Sequence, residues 1–131
     1  MFAIHPSGPE PIWRQIEEGV RRLVALGALT PGAAVPSVRD LARDLRVNPN
    51  TVARAYQRLT ENGVLTVRRG EGTYVADEPS RPRKSEKHDV LREAATRYAS
   101  SAIAVGAEAD EAAAEVESAY QRVVRDHRRR L

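Results

Sequence analysis

The chain has 131 residues, a net charge of +3, 41% hydrophobic residues and no cysteine. That length suits one ordinary domain, or a small domain with an extension and a modest core. The lack of cysteine excludes disulfides, thiolate catalysis and thiolate metal sites, and it fits a reducing cytoplasm. No apolar run approaches membrane-span length, and no basic, apolar leader precedes the first helical pattern, so no membrane partner is expected. The charge is unevenly placed. Residues 1–76 carry ten arginines against seven acidic residues, while residues 77–131 carry eleven of each sign. The surplus is small, but it lies in the first part, where a polyanion would be met.

Residues 1–9 contain Pro and Gly and read as extended, with Phe2 or Ile4 packing on the domain. Pro11 to Leu26 reads as an amphipathic helix, with Ile12, Ile16, Val20 and Leu23 at helical spacing and Trp13 at the edge of the core. Gly27 stops it, and Leu29-Thr30-Pro31-Gly32 is a turn. Ala34-Val35 is expected as a very short strand. From Pro36 to Asn62 the pattern is two short helices and a tight turn. Val38, Leu41, Ala42 and Leu45 make one apolar face, with Ser37 as N-cap and Asp40 placed to reach back to it. Asn48 caps the next helix and Pro49 suits its first position. Val52, Ala55, Tyr56 and Leu59 form its buried face, and Asn50, Arg54 and Gln57 its opposite face, with Thr51 and Arg58 on a flank. Amide, hydroxyl and guanidinium groups on one exposed face suit base edges and phosphates. The arrangement is a helix-turn-helix, with the second helix as candidate reader.

Asn62-Gly63 ends that helix. Val64–Arg68 and Thr73–Ala76 are β-prone runs around the turn Arg69-Gly70-Glu71-Gly72. Three helices followed by a hairpin with a basic, Gly-rich tip describe a winged helix-turn-helix. Gly70 and Gly72 let the backbone approach DNA closely, and Arg68 and Arg69 supply charge.

The run from Val35 to Val75, VPSVRDLARDLRVNPNTVARAYQRLTENGVLTVRRGEGTYV, resembles the DNA-binding domain of the GntR family of bacterial transcription regulators. The resemblance covers about residues 10–76 and begins at Pro11-Ile12-Trp13-Arg14-Gln15-Ile16. The Pro-Ser-x-Arg-x-Leu-Ala opening, the Asn-Gly-x-Leu boundary and the Arg-x-Gly-x-Gly-Thr wing are all present. Many members carry Ser-Arg-Thr-Thr-Val-Arg at the reading helix, whereas here Pro49 and Ala53 stand at two positions that are often Arg. No operator sequence can be carried over from those members. The Asn-Pro-x-Thr-Val variant is similar to the YtrA-like subgroup.

Asp77 to Lys87 is polar and Pro-containing and reads as a linker. Two helices are expected after it. Leu91, Ala94, Ala95, Tyr98, Ala102 and Val105 stripe the first, and Gly106 ends it. Ala109, Ala112, Ala113, Val116, Tyr120, Val123 and His127 recur along the second. The short connection makes an antiparallel hairpin with one apolar face and too little core of its own. It must pack on the winged domain or on another copy. The resemblance implies dimerisation, because YtrA-like members have a short two-helix C-terminal region of this kind.

The expected fold is therefore mainly α with a small β-hairpin: a winged helix-turn-helix over 1–76, a linker over 77–87 and a helical dimerisation hairpin over 88–131. The expected function is a homodimeric, DNA-binding regulator, a repressor on a pseudo-palindromic operator, acting in the cytoplasm at the nucleoid. The resemblance also implies an effector that releases DNA, of unknown identity. Asn48, Asn50, Thr51, Arg54 and Gln57 are candidates at or beside base edges. Ser37, Arg39, Arg58, Arg68, Arg69 and Thr73 are candidates for phosphate, with Gly70 and Gly72 shaping the wing. Leu91, Ala95, Tyr98, Ala102, Val105, Ala112, Val116, Tyr120 and Val123 are the candidate dimer contacts.

Catalysis is not expected, because His5, His88 and His127 are scattered and Gly70-x-Gly72 is too little for a nucleotide loop. No cofactor is expected. The one pairing that could take a divalent cation, or charge below about pH 6.5, is His88 with His127, beside Asp89 and Asp126 at one end of the hairpin. The plainer reading is that these are solvated helix ends. A protein–protein adaptor on a winged fold is the alternative, supported by the small charge surplus. Salt-sensitive binding to duplex DNA separates the two.

Overall fold

The computed structural model describes residues 2–129, so Met1, Arg130 and Leu131, at the ends of the two expected regions, lie outside it. The elements in order are α1 (Ile12–Ala25), α2 (Val38–Leu45), α3 (Pro49–Glu61), β1 (Leu65–Arg68), β2 (Gly72–Val75), α4 (Lys84–Ala104) and α5 (Ala109–Arg129). They fall into two compact units that meet in sequence between Ser80 and Arg81.

The first unit has a closed core. Ile16, Val20 and Leu23 from α1 meet Leu41 and Ala42 from α2 and Val52, Ala55, Tyr56 and Leu59 from α3. Val64, Leu65 and Val75 close the hairpin over them. These are the stripes expected from the 3.6-residue period, and each fully buried Leu, Ile or Val stabilises the unit by about 1.5–3 kcal/mol. The N-terminal segment is held as well. Phe2 is buried in a notch at Gly19, where an added Cβ would stand 2.7 Å from its ring. Gln15 fastens the segment between: its Oε1 accepts from the His5 amide at 2.7 Å, and its Nε2 donates to the His5 and Glu10 carbonyls at 2.9 Å.

The helix ends follow local chemistry. Ser37 Oγ accepts from the Asp40 amide at 3.0 Å, and Asn48 Oδ1 from the Asn50 amide at 2.8 Å. Asp40 does not return the cap. Its carboxylate lies 3.2 Å from Arg43, one turn along the same helix. α1, α2 and α3 end alike. A residue with positive φ follows, and the next amide reaches back five residues, as in Ala28 to Leu23, Val47 to Ala42 and Val64 to Leu59. Gly27 and Gly63 take that conformation freely. At the end of α2 it is Arg46, at φ 58°, an uncommon conformation for a residue with a Cβ.

β1 and β2 pair antiparallel, from Leu65 opposite Val75 to Arg68 opposite Gly72. The expected strand at Ala34-Val35 is a single bridge from Ala34 to Tyr74. The Val35 amide donates to Thr73 and the Val75 amide to Ala33, so this segment covers the outer edge of β2.

The second unit is the helical hairpin. Helix begins at Lys84, so the last four residues of the expected linker form the first turn of α4. Pro82 and the extended Arg83 mark the limit that helix cannot pass. Gly106, at φ 81°, closes α4, and the Tyr98 hydroxyl donates to the Ala112 carbonyl on α5 at 2.7 Å. Of the stripe residues, Ala102 alone is buried among the described residues. Leu91 is 60% exposed, Val105 82% and Tyr120 67%. No helix among the described residues is long and apolar enough to cross a membrane.

Candidate nucleic-acid interface

The site is built on α3. Tyr56 lies on its buried face and donates from its hydroxyl to the Pro36 carbonyl at 2.8 Å, tying α3 to the entry of α2. Burial pushes this phenol well above the usual tyrosine range. The tie and the cap at Asn48 set the two helices of the motif against each other. Asn50, Arg54 and Gln57 are exposed, as expected at i, i+4 and i+7, and Thr51 is half-buried.

Several candidates have occupations that spacing did not reveal. Asn48 spends its side-chain oxygen on the cap and keeps its amide N–H groups. Ser37 likewise accepts from the chain and keeps its hydroxyl hydrogen to donate. Gln57 Nε2 donates to Glu61 Oε1 at 3.1 Å. Arg58 is the largest difference. Its Nε donates to Glu17 Oε2 at 3.1 Å, and the Glu17 side chain is only 9% exposed. Arg58 therefore joins α3 to α1, and its charge is compensated inside the protein. Arg54 and Arg58 also lie over the Trp13 ring, at 4.5 and 4.7 Å from its centroid.

On the wing, Arg68 stacks on Tyr74 across the strand pair at 4.0 Å, and the Tyr74 hydroxyl reaches the Glu71 carbonyl at 3.4 Å. The guanidinium is steadied while its edge donors stay free. Gly70 and Gly72 have φ of 76° and 125° with nothing beside them, so backbone conformation is what calls for glycine there. Arg39 and Arg69 are exposed, and Thr73 is half-buried. All these candidates belong to the first unit.

Sequence reasoning missed Tyr74, Glu17 and Arg46. Tyr74 stands two residues past Gly72, one step beyond the glycine signal. Glu17 looked like any charged residue away from the α1 stripe. Arg46 is exposed at the turn of the motif, and its sole sequence signal is a long side chain where a glycine would be easiest. Neither His88 nor His127 belongs to a metal-holding cluster: among the described residues no group of three His, Cys, Asp or Glu could hold a metal. His127 Nδ1 donates to the Val123 carbonyl at 2.8 Å.

Residues 13–75 match the model of the bacterial regulatory proteins of the gntR family. Over 77 residues the chain is 40% identical to the HTH-type transcriptional repressor YtrA of Bacillus subtilis, covering 59% of each protein. It thus spans about three-fifths of that relative's length. Among solved structures it is similar to YtrA from Sulfolobus acidocaldarius, a GntR-family transcription factor. That match has 32% identity and a TM-score of 0.54, covering 93% of this chain and 98% of that one. The DNA-binding domain of AraR in complex with operator ORX1 matches 58% of this chain and 93% of its own, with 26% identity and a TM-score of 0.51.

Proposed function

The chain belongs to the GntR family, whose members are DNA-binding transcription regulators rather than enzymes, and on that premise we propose that it represses transcription as a homodimer on a pseudo-palindromic operator. One observation carries the reading. α3 buries Val52, Ala55, Tyr56 and Leu59 and turns Asn50, Arg54 and Gln57 to solvent, the division that a helix lying in a major groove requires. Asn50, Thr51 and Arg54 reach base edges, with Gln57 and the amide of Asn48 beside them. Arg39, Ser37, Arg68, Arg69 and Thr73 take phosphates, and Gly70 and Gly72 bring the wing close. Arg58 joins them only through its terminal N–H groups, because Glu17 holds its Nε.

The hairpin of α4 and α5 supplies the dimer. Leu91, Ala95, Tyr98, Val105, Ala112, Val116, Tyr120 and Val123 lie along its two stripes, and a second copy is the partner whose surface matches them. The repressor role and an effector of unknown identity rest on likeness to YtrA and its family. Operator selection followed by mobility-shift titration tests the reader. Arg54→Ala is expected to cost about 1–3 kcal/mol of discrimination at one base pair. Equal discrimination by wild type and variant would remove α3 from that role.

A further inference from the structure

Trp13, half-buried at the start of α1, carries two guanidinium groups from α3. Arg54 Cζ lies 4.5 Å and Arg58 Cζ 4.7 Å from its ring centroid. Both pairs on this helix contact are spaced i, i+4: Trp13 and Glu17 on α1, Arg54 and Arg58 on α3. Two cations on one ring repel, and the repulsion is relieved on one side only. Glu17, 7% exposed, takes the Arg58 Nε at 3.1 Å. Among the described residues Arg54 has no carboxylate and no hydrogen-bond acceptor. One arginine is thus neutralised and structural, while the other keeps its charge and all its donors.

We propose that Trp13 is a positioning residue for DNA recognition, a platform that orients Arg54 for its base contact while the Glu17–Arg58 pair fixes α1 against α3. This rests on the reading of α3 as the DNA reader. Stacking uses the face of a guanidinium and leaves its edge N–H groups free. An arginine so held has fewer rotamers to lose when it meets a base, which is how preorganisation raises affinity.

The test uses the full chain and a duplex selected from a random-sequence pool by the wild-type protein. The quantity read is the affinity ratio between that duplex and a scrambled one. W13L is expected to lower the ratio about fivefold, the size of a stacked cation–π contact, while W13F retains most of it. The double variant W13L/R54A is expected to be no worse than R54A. A merely structural defect would reduce the active fraction on both duplexes and leave the ratio intact. Trp13 is the single tryptophan in the chain, so its emission supplies a readout that needs no altered ring. Emission of folded R54A is expected to differ from wild type. A wild-type ratio in W13L, losses that multiply in the double variant, or unchanged emission in R54A would each overturn the platform. If R54A keeps the full ratio, the reading of α3 falls with it. If R54A loses the ratio and W13L does not, the platform alone falls.

Discussion

The two units are both largely helical, yet they bury their apolar residues very differently. In the winged unit three helices and a hairpin converge, and Ile16, Val20, Val52, Leu59 and Val75 are sealed from solvent. In the hairpin unit two helices of 21 residues each bury Ala102 and leave Leu91, Val105, Val116 and Tyr120 open. Apolar periodicity is therefore no guarantee of a core. A helix with three neighbours hides its stripe. A helix with one neighbour, and alanine at much of the contact, hides little of it. The winged unit has the makings of an independent fold, and the hairpin has those of half an interface.

The sharpest way to break that comparison is to separate the units. A chain ending at Ser80 is expected to stay folded and monomeric and to lose about 100-fold or more in affinity for a two-half-site operator. Sedimentation and mobility-shift titration read both quantities. A folded unit that kept full affinity would mean that the hairpin contributes no second reader.

Core substitutions sharpen the contrast further. Leu59→Ala is expected to destabilise the winged unit by about 2–5 kcal/mol at any protein concentration. Tyr120→Ala is expected to act through association instead, so its effect on the melting temperature is largest at high protein concentration and fades as the wild type is itself diluted into monomer. Melts at two concentrations distinguish the cases, and a concentration-independent loss for Tyr120→Ala would place its ring in a core within one chain.

The smallest effect belongs to the wing. Replacing Arg68 and Arg69 by alanine is expected to weaken selected and random duplexes alike and to reduce the slope of log affinity against log salt by about 2. An unchanged slope would show that the stacked Arg68 and its neighbour serve the hairpin rather than the phosphates. It would also favour the adaptor reading.

The sequence by itself determined the winged unit almost completely. Its stripes, the caps at Ser37 and Asn48, the stops at Gly27 and Gly63 and the turn at Gly70 depend on residues within one or two helical turns of one another, so they can be read from spacing. Spacing also identified the exposed face of α3. What it could not assign was the work done by each charged residue. Spacing separated Arg54, on the exposed face, from Arg58, on its flank, but it gave neither a partner, and Glu17 stands 41 positions from Arg58. Only the packing of α1 on α3 brings that carboxylate and the Trp13 ring to the two arginines, neutralising one and leaving the other free. The same holds for Arg68 on Tyr74, a contact that exists only once the strands pair. It also holds for Arg46, whose left-handed backbone follows from the close turn between α2 and α3. Local rules set the elements because helix and turn energies act over a few residues. Burial and electrostatics act across elements, and the fold decided which arginines are tied to a carboxylate and which keep their donors free at the surface.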